Sequence, residues 1–135
     1  AAVRRGARPF AQEAARRLEE QRLEALEARV EADLALSRAP ELVGELSALV
    51  REHPYRERLR GALMLALYRS GRQAEALEAY RAARRALVDE LGSDPSPALA
   101  QFERAILSHD PTVASRRRTG AAPRDGGRDR GFSGR

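Results

Sequence analysis

The chain has 135 residues, 33% of them charged, with a formal net charge of +5 and no cysteine. That length holds one domain with a real core and excludes a multidomain enzyme, while the missing cysteine excludes disulfide scaffolds, thiolate zinc sites and thiol nucleophiles. All 25 basic residues are arginine, so there is no lysine for a Schiff base or a phosphate-binding loop.

Alanine (26) and leucine (17) dominate, and valine, isoleucine and threonine together number 9. Helix formers are therefore abundant and sheet formers scarce, and the expected fold class is all-α. No apolar run approaches the roughly 18 residues that span a bilayer, and no signal-like segment follows the basic start, so a cytoplasmic location is expected. Residues 111–135 hold 7 Arg against 2 Asp, whereas residues 1–110 hold 18 Arg against 18 acids. The excess charge belongs to the tail.

Residues 1–9, AAVRRGARP, read as a linker, with Pro9 placed where a helix could begin. A first helix is predicted from Phe10 to Leu36 on the stripe Leu23, Leu26, Val30 and Leu34. The second runs from Pro40 to His53 on Leu42, Leu46, Leu49 and Val50, and Pro54 ends it. The third, from Tyr55 to Ser70, contains ALMLALY and is apolar nearly all round, so it should be the most enclosed element. Gly71 then suits a left-handed cap. The fourth runs from Gln73 to Leu91 on Leu77, Tyr80, Ala83, Leu87 and Leu91, closed by Gly92. After GSDPSP, which includes Pro95, Ser96 and Pro97 form a cap and first position for a fifth helix using Leu99, Phe102 and Ile106. Residues 111–135 carry half of the ten glycines and few apolar side chains, a composition expected to be disordered.

A shift of 34 residues superposes roles across the first four helices, the period of tetratricopeptide hairpins. It pairs Leu34 with Tyr68, Ser37 with Gly71, Leu42 with Ala76, Leu46 with Tyr80 and Leu49 with Ala83. Gly71, Ala76, Tyr80 and Ala83 match the tetratricopeptide pattern of turn glycine, small residue, aromatic and small residue. The longer strings EHPYRERLRGALMLALYRSGRQAEAL and DELGSDPSPAL, with Pro54, Tyr68, Gly92 and Pro95 among their signature positions, closely resemble the bacterial transcriptional activator domain of SARP-type antibiotic regulators over residues 9–110. Ser37, Ser93 and Ser96 stand where that family more often has glycine, an aliphatic residue and glycine.

The resemblance implies a helical domain for protein contacts within a regulator that recruits RNA polymerase. In that family a winged-helix domain reads the DNA, and nothing in these 135 residues supplies its strands or recognition helix. The chain is thus expected to be an activator domain apart from its DNA reader, a fragment or a truncated product. Protein is the expected partner, through the transcription machinery or self-association, and DNA only through that neighbouring domain. The tail's arginines would give at most weak, sequence-independent phosphate binding. The second reading is a free-standing tetratricopeptide-like adaptor unrelated to transcription.

No residues propose catalysis, a cofactor or a metal. His53 in a last helical turn is favoured by the helix dipole, and His109 lies 56 positions further on, with no metal-pair spacing. Acid clusters such as Glu19 with Glu20 read as helix surface, and no nucleophile elbow or phosphate loop is present. One constellation stands out: Arg56 and Arg60 lie one turn apart, as do Arg81 and Arg85, and a hairpin about Gly71 would bring both pairs to one level. They are the candidate contacts for an acidic protein partner, unless Glu52, Glu57, Asp89 and Glu90 neutralise them.

Overall fold

The computed structural model describes residues 2–109, and the side chains of residues 9–109; the tail expected over residues 111–135 lies outside them. Five α-helices follow one another: α1 (Ala2–Ala35), α2 (Ala39–Glu52), α3 (Glu57–Arg69), α4 (Gln73–Ala86) and α5 (Pro97–Leu107), with a π-helical turn, Leu87–Leu91, extending α4. No strand occurs among the described residues, so the all-α expectation holds.

Helix α1 begins at Ala2 instead of Phe10, and Pro9 sits inside it. A proline removes one intrahelical hydrogen bond and crowds the carbonyl four residues before it, but near a helix end that penalty is spread over few residues. The surrounding alanines and arginines are strong helix formers, and the segment read as a linker is helical.

The 34-residue period is visible in the backbone bonds. Ser37 and Gly71 both take left-handed φ, 69° and 79°. Arg38 N–H donates to the Asp33 carbonyl and Ser37 N–H to that of Leu34, just as Arg72 donates to Leu67 and Gly71 to Tyr68. Both turns are therefore the same double-bonded C-terminal cap. Glycine adopts it freely at position 71, whereas Ser37 carries a Cβ into a conformation that costs L-residues about 1–2 kcal/mol.

The core runs along the middle of α3. Leu59, Met64 and Ala66 are fully buried, and Gly61, Ala62 and Leu67 are nearly so, which bears out its prediction as the most enclosed helix. Against it pack Val30 and Leu34 of α1, Leu42, Leu46 and Val50 of α2, and Ala76, Tyr80 and Ala83 of α4. Each fully buried aliphatic contributes about 1.5–3 kcal/mol. Ala76 and Ala83 have no exposed surface, so α4 approaches α3 closely beside the Tyr80 ring. Burial pushes the Tyr80 hydroxyl up from its ordinary 10.0.

The fourth helix departs from expectation at its end. Through the π-helical turn, Ser93 N–H closes on the Leu87 carbonyl, six residues back where a regular cap closes on the fifth. The added residue turns the helix face, and Leu91, expected on the inward stripe, is 53% exposed. Gly92 caps the turn at φ 69°, as predicted. In α5 the Ser96 hydroxyl accepts the Leu99 N–H at 3.3 Å, with Pro97 in the first turn.

Candidate interaction surface

Helices α1 and α3 run side by side in the same direction and are joined by charge. Glu27 of α1, only 2% exposed, accepts from Arg56 Nε at 3.1 Å and Nη2 at 3.0 Å. Arg58 Nη1 lies 3.4 Å from the same carboxylate. Each arginine holds a second acid of α1: Arg56 takes Glu20 at 2.6 Å, and Arg58 forks onto Glu31 at 2.8 and 3.1 Å. The bonds to Glu27 and Glu20 raise the Arg56 guanidinium above the usual arginine range. A buried carboxylate so partnered is satisfied, and removing its partners would strand it.

Helix α5 flanks the other side of α3. Its Phe102 ring approaches so closely that a Cβ on Gly61 would lie 3.1 Å from Cε2. At the start of α5 the Glu57 carboxylate accepts the Ser96 N–H at 3.0 Å. Between α1 and α5, over the start of α3, lies a cleft of about 190 Å³. Leu34, Gly61, Ala62, Leu99 and Phe102 form its apolar floor, and Glu31, Arg58 and Ala98 stand at its rim. A shallower basin continues from it past Tyr55, Arg56 and Glu27. An apolar floor with an ionic edge can seat an aliphatic or aromatic side chain of a peptide and orient its charged neighbours.

The sequence profile of the bacterial transcriptional activator domain matches residues 2–107. The chain belongs to that family. The activator domain is 55% identical over 106 residues to the regulatory protein AfsR of Streptomyces coelicolor, covering 78% of this chain and 11% of that protein. It is 52% identical over 97 residues to the regulatory protein DnrI of Streptomyces peucetius, covering 72% and 36%. Among solved structures it resembles Mycobacterium tuberculosis EmbR in complex with a low affinity phosphopeptide, with a TM-score of 0.75, 41% identity, and 83% of this chain and 30% of that one covered. The relatives are SARP-type transcriptional regulators, and this chain spans about a tenth to a third of their length, the activator-domain portion. They favour the transcriptional reading over a free-standing adaptor.

Within the activator domain the four predicted arginines do not share one surface. Arg56 is spent on Glu27 and Glu20, and Arg60 is 9% exposed, its Nε donating to the Pro54 carbonyl at 2.8 Å. Burial lowers the pKa of Arg60. Arg81 and Arg85 stay in solvent and share one carboxylate, Glu78, at 3.0 and 3.3 Å. The neutralising acids are thus Glu20, Glu27 and Glu78, not the neighbours Glu52, Glu57, Asp89 and Glu90. Of the signature residues, Pro54 supplies the carbonyl for Arg60, Tyr68 packs half-buried on the core, and Pro95 is half-buried before the α5 cap.

Glu27 is the residue that sequence reasoning missed. Its spacing is legible in retrospect: Leu23, Glu27, Val30 and Leu34 fall on one helical face, so an acid interrupts the buried stripe. No group of three or more His, Cys, Asp or Glu side chains that could hold a metal ion occurs among the described residues.

Proposed function

We propose that this domain makes protein contacts within a SARP-type transcriptional regulator, by seating a peptide segment in the cleft between α1, α3 and α5. The observation that carries this reading is the cleft itself: three parallel helices leave a depression in which the half-buried Phe102 ring lies over core residues, framed by the Glu31 and Arg58 ion pair. Such a surface works by shape and charge, not by bond making. Arg81 and Arg85 offer a second contact for an acidic partner, since one carboxylate faces two guanidinia there. The setting proposed is cytoplasmic: no helix among the described residues is long and apolar enough to cross a membrane, and the relatives regulate transcription.

The test uses AfsR of Streptomyces coelicolor carrying residues 2–107 in place of its own matching segment, read by a transcriptional reporter. Ala98, exposed at the cleft rim, is replaced by tryptophan to fill the cleft from its rim. Activation by the unmodified chimera and its loss in a folded Ala98→Trp variant are expected. Equal activation by both would exclude the cleft as the contact surface.

A further inference from the structure

Helix α1 turns to solvent a face that the next repeat buries. The shift of 34 residues carries Ala25, Ala28 and Ala32 onto Leu59, Ala62 and Ala66 of α3, which lie in the core, whereas the three alanines of α1 are exposed. The large apolar side chains of the same face are exposed too: Leu18 at 66%, Phe10 at 77% and Leu36 at 64%. Positions 11, 14, 18, 21, 25, 28, 32 and 35 follow one another at alternate steps of three and four, the heptad spacing of a helix that packs along its length on another helix. Six of them are alanine, one is Leu18, and Gln21 alone is polar. At 3.6 residues per turn this strip lies opposite Leu23, Glu27, Val30 and Leu34, so it belongs neither to the core nor to the cleft floor.

We infer that two copies of this chain pair through α1, antiparallel, about a twofold axis midway between Gln21 and Ala25. In that register Ala11 meets Ala35 of the second copy, Ala14 meets Ala32, Leu18 meets Ala28 and Gln21 meets Ala25, while Phe10 at one end reaches Leu36 at the other. Large side chains thus fall on small ones, as close helix packing requires. Parallel pairing would instead set Leu18 on Leu18, Gln21 on Gln21, and Arg17 beside Arg22, like charge on like. The antiparallel register also covers the solvated arm: residues 9–22 of each copy lie along residues 24–37 of the other, the half that the core holds. On one edge Arg17 arrives within two residues of Glu31 of the second copy, an opposite-charge pair made twice by symmetry. On the other edge Arg22 and Arg29 are already neutralised by Glu19 and by Asp33 and Glu45. Only Glu24, exposed on α1, meets its own copy near the axis. The strip from Phe10 to Leu36 is about 39 Å long and about 10 Å wide, a footprint of about 400 Å² per copy. A contact of that size belongs with weak, reversible interfaces, and pairing is expected between about 10 μM and 1 mM chain. The face is separate from the cleft, and the pairing does not depend on what the cleft binds.

Sedimentation velocity of the full chain across that range reads the pairing, and the weight-average sedimentation coefficient should rise from monomer towards dimer. Leu18→Glu sets a carboxylate against Ala28 twice per dimer and should raise the dissociation constant at least about tenfold, with the circular dichroism spectrum unchanged. Ala25→Glu, on the same strip, is the second variant and should do the same. Glu24→Gln removes the like-charge contact at the axis and should tighten pairing a few-fold. Direction is read separately, since the chain has no native cysteine. Ala11→Cys and Ala35→Cys chains, oxidised together, should give a disulfide-linked dimer, and each oxidised alone should not. A chain that stays monomeric up to about 1 mM, or one whose folded Leu18→Glu and Ala25→Glu variants pair as the parent does, overturns the inference and leaves the face to another partner. Disulfide dimers formed by each cysteine variant alone, and not by the mixture of the two across chains, would overturn the antiparallel register.

Discussion

Replacing Glu27 tests whether α1 is held to the domain by its buried carboxylate. Glu27→Ala deletes the two bonds from Arg56 at 3.1 and 3.0 Å and the contact with Arg58 at 3.4 Å. Stranding a buried charge typically costs about 3–5 kcal/mol. Here neither arginine is stranded, because Arg56 keeps Glu20 and Arg58 keeps Glu31. What is lost is the charge-assisted fork on Glu27, and hydrogen bonds to charged groups contribute about 1.5–3 kcal/mol each at most. The expected loss is about 2–3 kcal/mol, on the order of 10–20 °C in the midpoint for a domain of this size. Thermal and urea melts followed by circular dichroism at 222 nm measure it, and Glu27→Gln, which keeps the shape and one acceptor, should lie between the two. A loss below about 0.5 kcal/mol, the range of ordinary surface substitutions, would refute the claim that the buried joint matters and leave α1 held by Leu23, Val30 and Leu34 with the outer ion pairs of Glu20 and Glu31.

Truncation of Tyr80 to alanine should cost about 3–5 kcal/mol, as for other buried aromatics, whereas Tyr80→Phe should be nearly silent in the same melt. Because the Tyr80 hydroxyl is raised above 10.0, the stability tied to its neutral form is complete below pH 10 and is lost as the pH climbs through the raised value; ultraviolet titration of the phenolate reads this directly. Ser37→Gly should stabilise by about 0.5–1 kcal/mol, the left-handed strain relieved less the added freedom of the unfolded chain; destabilisation would show that the Ser37 turn is not strained. Charge reversal at Arg81 and Arg85 should change stability by less than about 0.5 kcal/mol yet reduce reporter activation by the AfsR chimera, and full activation would leave them a solvated face. Glu19, Glu75 and Glu78 are held below the ordinary carboxylate 4.5 by bonds to Arg22, Arg72 and Arg81. Their contribution is present above pH 4.5 and lost on acidification through the lowered values, so melting midpoints should fall in that window and less so in high salt.

The helices, the 34-residue repeat and both turns were legible because each depends on local signals: a period, a capping hydroxyl, a glycine. Ser37 shows how far this goes, since alignment with Gly71 alone places it in a left-handed turn. The π-helical turn was not legible, because LVDEL has ordinary helical composition and only tertiary packing decides where Leu91 points. The candidate site was read less well. One turn of spacing put Arg56 with Arg60 and Arg81 with Arg85, but spacing is silent on which acid of another helix reaches across, and Glu20 and Glu27 lie 36 and 29 residues from Arg56. The cleft joins α1, α3 and α5, three segments distant in the chain, and no pattern within one helix announces it.

Helix α1 is gripped along only part of its length. From Leu23 onward it buries side chains, while from Pro9 to Arg22 nearly every residue stands in solvent, Phe10 at 77% and Leu18 at 66%. Within it only Glu20 is tied to α3, through Arg56, and the eleven residues from Pro9 to Glu19 project about 16 Å beyond that tie at the helical rise. The arrangement is a lever with its fulcrum at Glu27. A tilt of about 10° in the seating of α1 on α3 moves the Pro9 end, about 27 Å from Glu27, by about 5 Å on the same rise, so a rearrangement too small to disturb the core becomes a displacement as large as a side chain at the far end.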